Sequence, residues 1–112
     1  MSKLDEKMTL YKTEAGNIGL DFDADLLDAV TKALGPLIYN EDSSRVSCSD
    51  QEELDRVKNN FLIGKLGMQD GPELDAAIKE VCEQMGSSNR NKYRAIFYYL
   101  LVKKFNKEAI YQ

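Results

Sequence analysis

Apolar residues recur at helical spacing in five segments of the chain, and polar or glycine-containing breaks separate these segments. Leu74, Ile78 and Val81, for example, stand at positions i, i+4 and i+7, which lie on one face of a helix. The same spacing predicts helices over residues 3–15, 25–34, 49–66, 72–85 and 88–107. Five helices joined by short loops indicate an all-α protein, a compact bundle in which residues 1–112 form a single helical domain.

Capping residues mark the ends of several predicted helices, because their side chains pair with backbone groups that the terminal turns leave free. Asp23 or Asp25 is placed to cap the second helix. Ser49, followed by Glu52 three residues later, predicts a capping box at the start of the third helix. The remaining boundary signals are Gly35-Pro36, Pro72, Gly86, and Ser87 or Ser88. Residues 43–47 lie between predicted helices and are compatible with an extended backbone.

Two parts of the chain are similar to each other. Residues 27–34 share four of eight positions with residues 74–81, and residues 49–66 align without gaps on residues 88–105. One interpretation is that the bundle consists of two helix-loop-helix repeats after an N-terminal helix. The other is that any two amphipathic helices share this pattern once their starts are aligned. The two helix pairs superpose only under the first interpretation.

The predicted core is formed by apolar residues that share the stripes of the last three helices. These residues are Leu62, Ile78, Val81, Ile96, Phe97, Leu100 and Leu101. The fifth helix is apolar nearly all round over residues 95–102, so it lies at the centre of the core or presents a second face to a partner. A homodimer interface built on Tyr98, Tyr99 and Val102 is the second alternative, because aromatic residues are enriched at interface cores.

The composition, 43% hydrophobic and 30% charged residues over 112 positions, is typical of a globular protein. The longest uninterrupted apolar run is the eight residues 95–102, well short of the roughly 20 that a membrane helix needs. The first residues lack the apolar segment of a signal peptide. We therefore expect a cytoplasmic protein without a membrane partner, in which Cys48 and Cys82 are reduced thiols.

The chain has no histidine and two cysteines, and its 19 carboxylates fall on polar helix faces, where solvation accounts for them. The absence of histidine removes the commonest general base near neutral pH and the commonest zinc ligand. Cys82 falls on an apolar stripe, where an inert thiol is usual, whereas the reactivity of Cys48, just before a helix, stays open. Residues 21–25 begin like a calcium loop, but Leu26 and Lys32 occupy positions that need Gly and Glu. The sequence thus predicts no catalytic site, no cofactor and no metal, and a protein that is not an enzyme.

Charge is distributed unevenly along the chain. Residues 1–86 hold 9 basic and 18 acidic residues, whereas residues 87–112 hold 6 basic residues and one acidic residue. The leading interpretation is a small non-catalytic interaction protein that binds an unknown protein partner, or a second copy of itself, through the basic aromatic C-terminal helix. The alternative is a nucleic-acid-binding accessory protein that uses the same surface, since basic groups attract phosphates and exposed rings stack on bases. The candidate contact residues are Ser88, Arg90, Lys92, Arg94, Tyr98 and Tyr99.

The cations between residues 87 and 94 stand where a helix is predicted to begin, and a helix N-terminus already carries partial positive charge. They therefore require a compensating anion. One source is an internal carboxylate, such as Glu83 or an acidic residue of the second or third helix. The other is an external phosphate or carboxylate bound by Arg90 and Arg94 together with the free N–H groups of the helix.

Four segments of the chain resemble a known family. They are residues 26–36, 46–50, 60–62 and 88–94, and the last of them, Ser-Asn-Arg-Asn-Lys-Tyr-Arg, is the most specific. The chain is similar there to a family of small bacterial proteins known only as a domain of unknown function. The resemblance implies a bacterial, cytoplasmic, helical protein that stands alone as one domain. That family has no assigned activity, ligand or site, so the resemblance implies no function for any residue of this chain.

Overall fold

A computed structural model describes residues 3–20, 22–40, 43–86, 89 and 92–111. Its α-helices are α1 (Lys3–Asn17), α2 (Ala24–Leu34), α3 (Gln51–Arg56), α4 (Pro72–Met85) and α5 (Arg94–Lys104). α3 continues without a break as a π-helix over Val57–Ile63, and short 3-10 helices cover Gly35–Tyr39 and Glu108–Tyr111. Across the described ranges the protein is an all-α bundle of five helices, as the apolar spacing predicts.

α5 is the central helix of the bundle, and it packs against α1, α2 and α4. Every residue from Arg94 to Val102 is buried, which explains why the helix is apolar nearly all round. All seven predicted core residues are buried as well: Leu62, Ile78, Val81, Ile96, Phe97, Leu100 and Leu101. The predicted core is confirmed, and of the two alternatives for α5 the structure shows the central one.

Local capping chemistry sets the starts of α2 and α3. The carboxylate of Asp23 accepts hydrogen bonds from the backbone N–H groups of Asp25 and Leu26, so Asp23 is the cap of α2. At α3 the predicted capping box is wrong. The cap is Asp50, whose carboxylate accepts from the N–H of Glu52 at 3.0 Å. An aspartate caps as well as a serine does, and here its extended backbone places the carboxylate over the first turn.

α5 begins at Arg94, later than its predicted start at residue 88. The preceding backbone is extended because it pairs with residues 43–49, the irregular segment before α3. The N–H of Val46 donates to the carbonyl of Lys92 (2.8 Å), and the N–H of Arg94 donates to the carbonyl of Ser44 (2.7 Å). An antiparallel bridge thus joins Arg45 to Tyr93, which confirms the extended backbone at this point of the segment. The predicted caps at residues 87 and 88 lie outside the described residues.

The two similar parts of the sequence do not form equivalent helix pairs. When residues 49–66 are aligned with residues 88–105, the start of α3 at Gln51 corresponds to position 90, but α5 begins four residues later, at Arg94. The π-helix has no counterpart in α5. The packing differs too, since α2 lies against α1 and α5, whereas α4 lies against α5 and the π-helix. These differences favour shared amphipathicity as the source of the similarity, and the repeat stays a prediction that superposition of the two helix pairs tests.

Gly64 closes the π-helix, donating its N–H to the carbonyl of Asn59, five residues earlier. A Cβ added at Gly64 would lie 2.7 Å from the carbonyl oxygen of Asn60. Helix propensity alone favours alanine over glycine by about 1 kcal/mol. We expect the opposite sign here, with Gly64→Ala lowering the free energy of unfolding by about 1–3 kcal/mol in urea titrations, because crowded atoms must move.

Gly16 in α1 provides the matched control, since nothing lies within 4 Å of a Cβ added there. Gly16→Ala is expected to raise the free energy of unfolding by up to about 1 kcal/mol. If both substitutions stabilise the protein, the close approach at Gly64 does not exist in solution.

Candidate functional site

The predicted contact residues do not form an exposed surface. Two of them, Ser88 and Arg90, lie outside the described residues. The other four are buried, each with at most 9% of its surface exposed: Lys92, Arg94, Tyr98 and Tyr99. These four residues therefore do not form an exposed face on α5, because the helix that carries three of them is the centre of the bundle. Lys92, Arg94 and Tyr98 instead line the cleft described below. Their contact with a partner stays a prediction.

The two tyrosines of α5 are bound into the bundle itself. The ring of Tyr98 stacks on that of Phe61 in the π-helix, with centroids 3.8 Å apart and planes 16° from parallel. The hydroxyl of Tyr99 accepts a hydrogen bond from the N–H of Asp23 at 2.8 Å. Val102 is fully buried. A homodimer interface built on Tyr98, Tyr99 and Val102 is incompatible with this packing.

The anion that compensates Arg94 is internal. Its guanidinium forms an ion pair with the carboxylate of Glu53 in α3, which was one of the predicted sources, whereas Glu83 is not its partner. The same group donates to the hydroxyl of Tyr98 (2.8 Å) and to the carbonyl oxygens of Ser43 (2.7 Å) and Arg45 (3.3 Å). Arg94 thus joins α5, α3 and the irregular segment, and its hydrogen-bonding capacity is nearly used up within the chain.

Burial and pairing act in opposite directions on the ionisation of this cluster. Burial alone lowers the pKa of Arg94, but the neighbouring Tyr98 hydroxyl and Glu53 carboxylate outweigh it and raise that pKa. Burial raises the pKa of Tyr98, against the lowering effect of the Arg94 charge. Glu53 also accepts a hydrogen bond from Arg56 at 2.8 Å. Glu53 thus lies between the guanidinium groups of Arg56 and Arg94, held by charge-assisted hydrogen bonds within the chain.

Cys48 and Cys82 form a disulfide, with their Cα atoms 6.1 Å apart. The expectation of two reduced thiols is therefore wrong. The pair is separated by 34 residues in sequence, and only the fold brings the segment before α3 next to α4. Both residues are half-buried at the edge of the core. Neither sulfur is a free nucleophile in this state, so Cys48 offers no thiolate for catalysis.

A cleft of about 1400 Å³ opens beside the disulfide. Its described lining comes from the irregular segment, α3, the π-helix, one face of α4 and the start of α5. Five basic and three acidic side chains among the described residues line it, a net charge of +2 for this part of the lining in a chain whose net charge is −4: Arg45, Arg56, Lys79, Lys92, Arg94, Asp50, Glu53 and Glu83. The cleft is therefore a basic region on an acidic protein.

Three cations of the cleft, Arg45, Lys79 and Lys92, form no ion pair within the described part of the chain. Of these, Arg45 and Lys79 are exposed, and Lys92 is buried. Arg45 lies over the ring of Tyr93, with its guanidinium carbon 5.8 Å from the ring centre. By contrast, Lys92 donates to the carbonyl of Asn89 at 2.7 Å. Arg45 and Lys79 are therefore the exposed charges of the cleft that are available to a ligand. Neither was predicted as a contact residue, because neither stands in a cluster of basic and aromatic residues in the sequence.

The described residues contain no group of three or more histidine, cysteine, aspartate or glutamate side chains arranged to hold a metal ion. No helix in the same ranges has the length and apolar character required to cross a membrane. What the cleft offers chemically is hydrogen bonding and positive charge, which are the properties of a binding surface.

The fold and the cleft define a small all-α protein with an open polar groove, for which no catalytic family is identified. Residues 11–109 match the family described as "Protein of unknown function (DUF2853)", and the chain belongs to this family. The resemblance to a domain of unknown function, expected from the four sequence segments, is confirmed. No curated protein matches the chain.

Proposed function

We propose that this protein is a cytoplasmic, non-catalytic interaction protein whose cleft binds an acidic segment of a partner protein. The observation that carries the proposal is the net charge of +2 on the described lining residues of the cleft, in a chain of net charge −4. Arg45 and Lys79, exposed and without ion pairs among the described residues, provide the charge complementarity that selects an acidic partner.

The size of the cleft supports a peptide rather than a metabolite as the ligand. Pockets for small molecules measure roughly 300–1,000 Å³ and enclose most of the ligand, whereas this cleft measures about 1400 Å³ and is open. An extended chain segment fills an open groove of this kind. Side chains of the groove that are already paired, such as Arg56 and Arg94 with Glu53, give it a fixed shape before binding.

Nucleic-acid binding, the alternative function, receives less support. Single-stranded nucleic acids are held by rings on which the bases stack, and Tyr93, Tyr98 and Tyr99 are all buried. A catalytic function is not supported either, because the chain has no histidine and both cysteines are in the disulfide.

The proposal predicts that a short, fluorescein-labelled, glutamate-rich peptide binds the oxidised protein, as measured by fluorescence anisotropy. Reversing the charge at both exposed positions, with Arg45→Glu and Lys79→Glu, is expected to weaken binding at least about tenfold, since two favourable charge contacts become repulsive. A lysine-rich peptide of the same length is expected not to bind.

Lys32→Glu with Lys103→Glu is the matched control, because it changes the net charge equally at two exposed positions outside the cleft. It is expected to leave the affinity for the glutamate-rich peptide within a factor of about two at physiological salt, where distant charges are screened. Equal losses in the two double variants, or no binding by the unmodified chain, would refute the proposal. Tighter binding of a single-stranded oligonucleotide than of the peptide would favour the alternative function.

A further inference from the structure

The disulfide lies in the wall of the cleft. Cys48 and Cys82 both line the cleft and are half-buried, so the bond is not enclosed by the core. Arg45 stands three residues before Cys48, and Lys79 stands three residues before Cys82 on α4, one helical turn away. The bond therefore fixes the two parts of the chain that carry the charges proposed to hold the partner.

The segment before α3 is held to the rest of the protein by two independent attachments. Residues 43–46 are held by the hydrogen bonds of Arg94 and by the backbone bridge to residues 92–94. Residues 47–49, in contrast, make only local hydrogen bonds within the described structure, from Asp50 to Ser47 and between Ser47 and Ser49. The covalent bond from Cys48 is what ties these three residues to α4.

The disulfide lies outside the buried core. Both cysteines pack at the edge of the hydrophobic cluster rather than among its buried members. The clamp formed by Arg94 and Glu53 does not involve either sulfur. We therefore expect reduction to free residues 47–49 while α4, α5 and residues 43–46 keep their places.

We propose that Cys48 and Cys82 are a reversible redox site that controls binding in the cleft, with a cellular dithiol as the reductant. This inference rests on the proposed function. It accords with the proposed cytoplasmic address, since disulfides in reducing compartments are usually transient and redox-sensing.

The exchange is balanced in electrons and protons. A thiolate of the dithiol attacks one sulfur of the pair, forms a mixed disulfide and expels the other cysteine as a thiolate, which takes up a proton. The second thiol of the reductant then attacks the mixed disulfide and releases the first cysteine. Two electrons and two protons pass to the protein, and the dithiol becomes a disulfide.

The test compares the oxidised chain, the chain reduced with dithiothreitol and the reoxidised chain in the anisotropy assay with the glutamate-rich peptide. Reduction is expected to weaken binding about tenfold, because the reduced wall must be ordered again on binding, and reoxidation is expected to restore it. Cys48→Ser with Cys82→Ser is expected to behave as the reduced chain does. Circular dichroism checks that all forms remain helical.

Amide hydrogen exchange gives a second readout that needs no peptide. On reduction, exchange at residues 47–49 is expected to rise while exchange in α5 stays unchanged.

Equal peptide affinity in the oxidised and reduced forms would overturn the redox inference and leave the proposed function standing. Failure of both forms to bind would overturn the proposed function. Unfolding on reduction, or a bond that dithiothreitol opens only in denaturant, would show a purely structural disulfide.

Discussion

Arg94→Ala is expected to lower the free energy of unfolding by about 3–5 kcal/mol, because it leaves the buried carboxylate of Glu53 without its main partner. Arg94 has 10% and Glu53 has 12% of its side-chain surface exposed. Water therefore cannot fully replace the contact that Glu53 loses. The carbonyl oxygens of Ser43 and Arg45 lose their donor as well. Urea unfolding monitored by circular dichroism measures the loss.

Arg56→Ala is the matched control for this prediction, since Arg56 pairs with the same carboxylate but has 57% of its side chain exposed. We expect that substitution to cost clearly less than Arg94→Ala, because exposed ion pairs contribute little to stability. Added phosphate is expected to stabilise the unmodified chain and the Arg94→Ala chain equally, because Arg94 is occupied internally. An Arg94-dependent stabilisation by phosphate would instead indicate an external anion as its partner.

Phe97→Ala is expected to lower the free energy of unfolding by a similar amount, about 3–5 kcal/mol, since a fully packed ring is replaced by a cavity. Phe97 is 0% exposed on the central helix, in contact with the core on every side. Phe105, half-buried at the end of the same helix, is the control, and its truncation is expected to cost clearly less. A loss at Phe97 below about 1 kcal/mol would mean that α5 is rotated relative to the structure.

The parts of the fold that depend on local chemistry could be predicted from the sequence. α2 and α4 begin and end close to where their signals predict, because Asp23, Gly35 and Pro72 act on the backbone within a few residues. The seven core residues followed from helical spacing alone. The predicted cap is wrong at α3, where Ser49 and Asp50 compete for the same first turn and the aspartate caps it. The predicted start is also wrong at α5, which begins at Arg94.

The features that depend on distant pairing could not be predicted. α5 starts late because its preceding backbone is hydrogen-bonded to residues 44 and 46, which are almost fifty positions away. The disulfide and the ion pair between Arg94 and Glu53 likewise join residues 34 and 41 positions apart. Composition suggested free thiols and an exposed cation, because it carries no information on which elements meet.

For the same reason, the cleft differs from the exposed α5 face that the sequence predicted. An all-round apolar helix with basic and aromatic residues reads equally well as a central helix or as a surface helix, and Tyr98 and Tyr99 are compatible with both. Packing against the π-helix and α2 buries those rings. The proposed groove is lined by the irregular segment, α3, α4 and the start of α5, and the fold brings Arg45 and Lys79 into it.

The most direct measurement is a set of amide ¹H–¹⁵N correlation spectra of the oxidised protein during titration with the glutamate-rich peptide. The account predicts that the largest shift changes fall on the cleft, at Arg45, Ser47 and Lys79, with little change at the C-terminal end of α5. Changes centred on Lys103 and Lys104, on the exposed end of that helix, would contradict it and return the binding surface to the basic C-terminal segment.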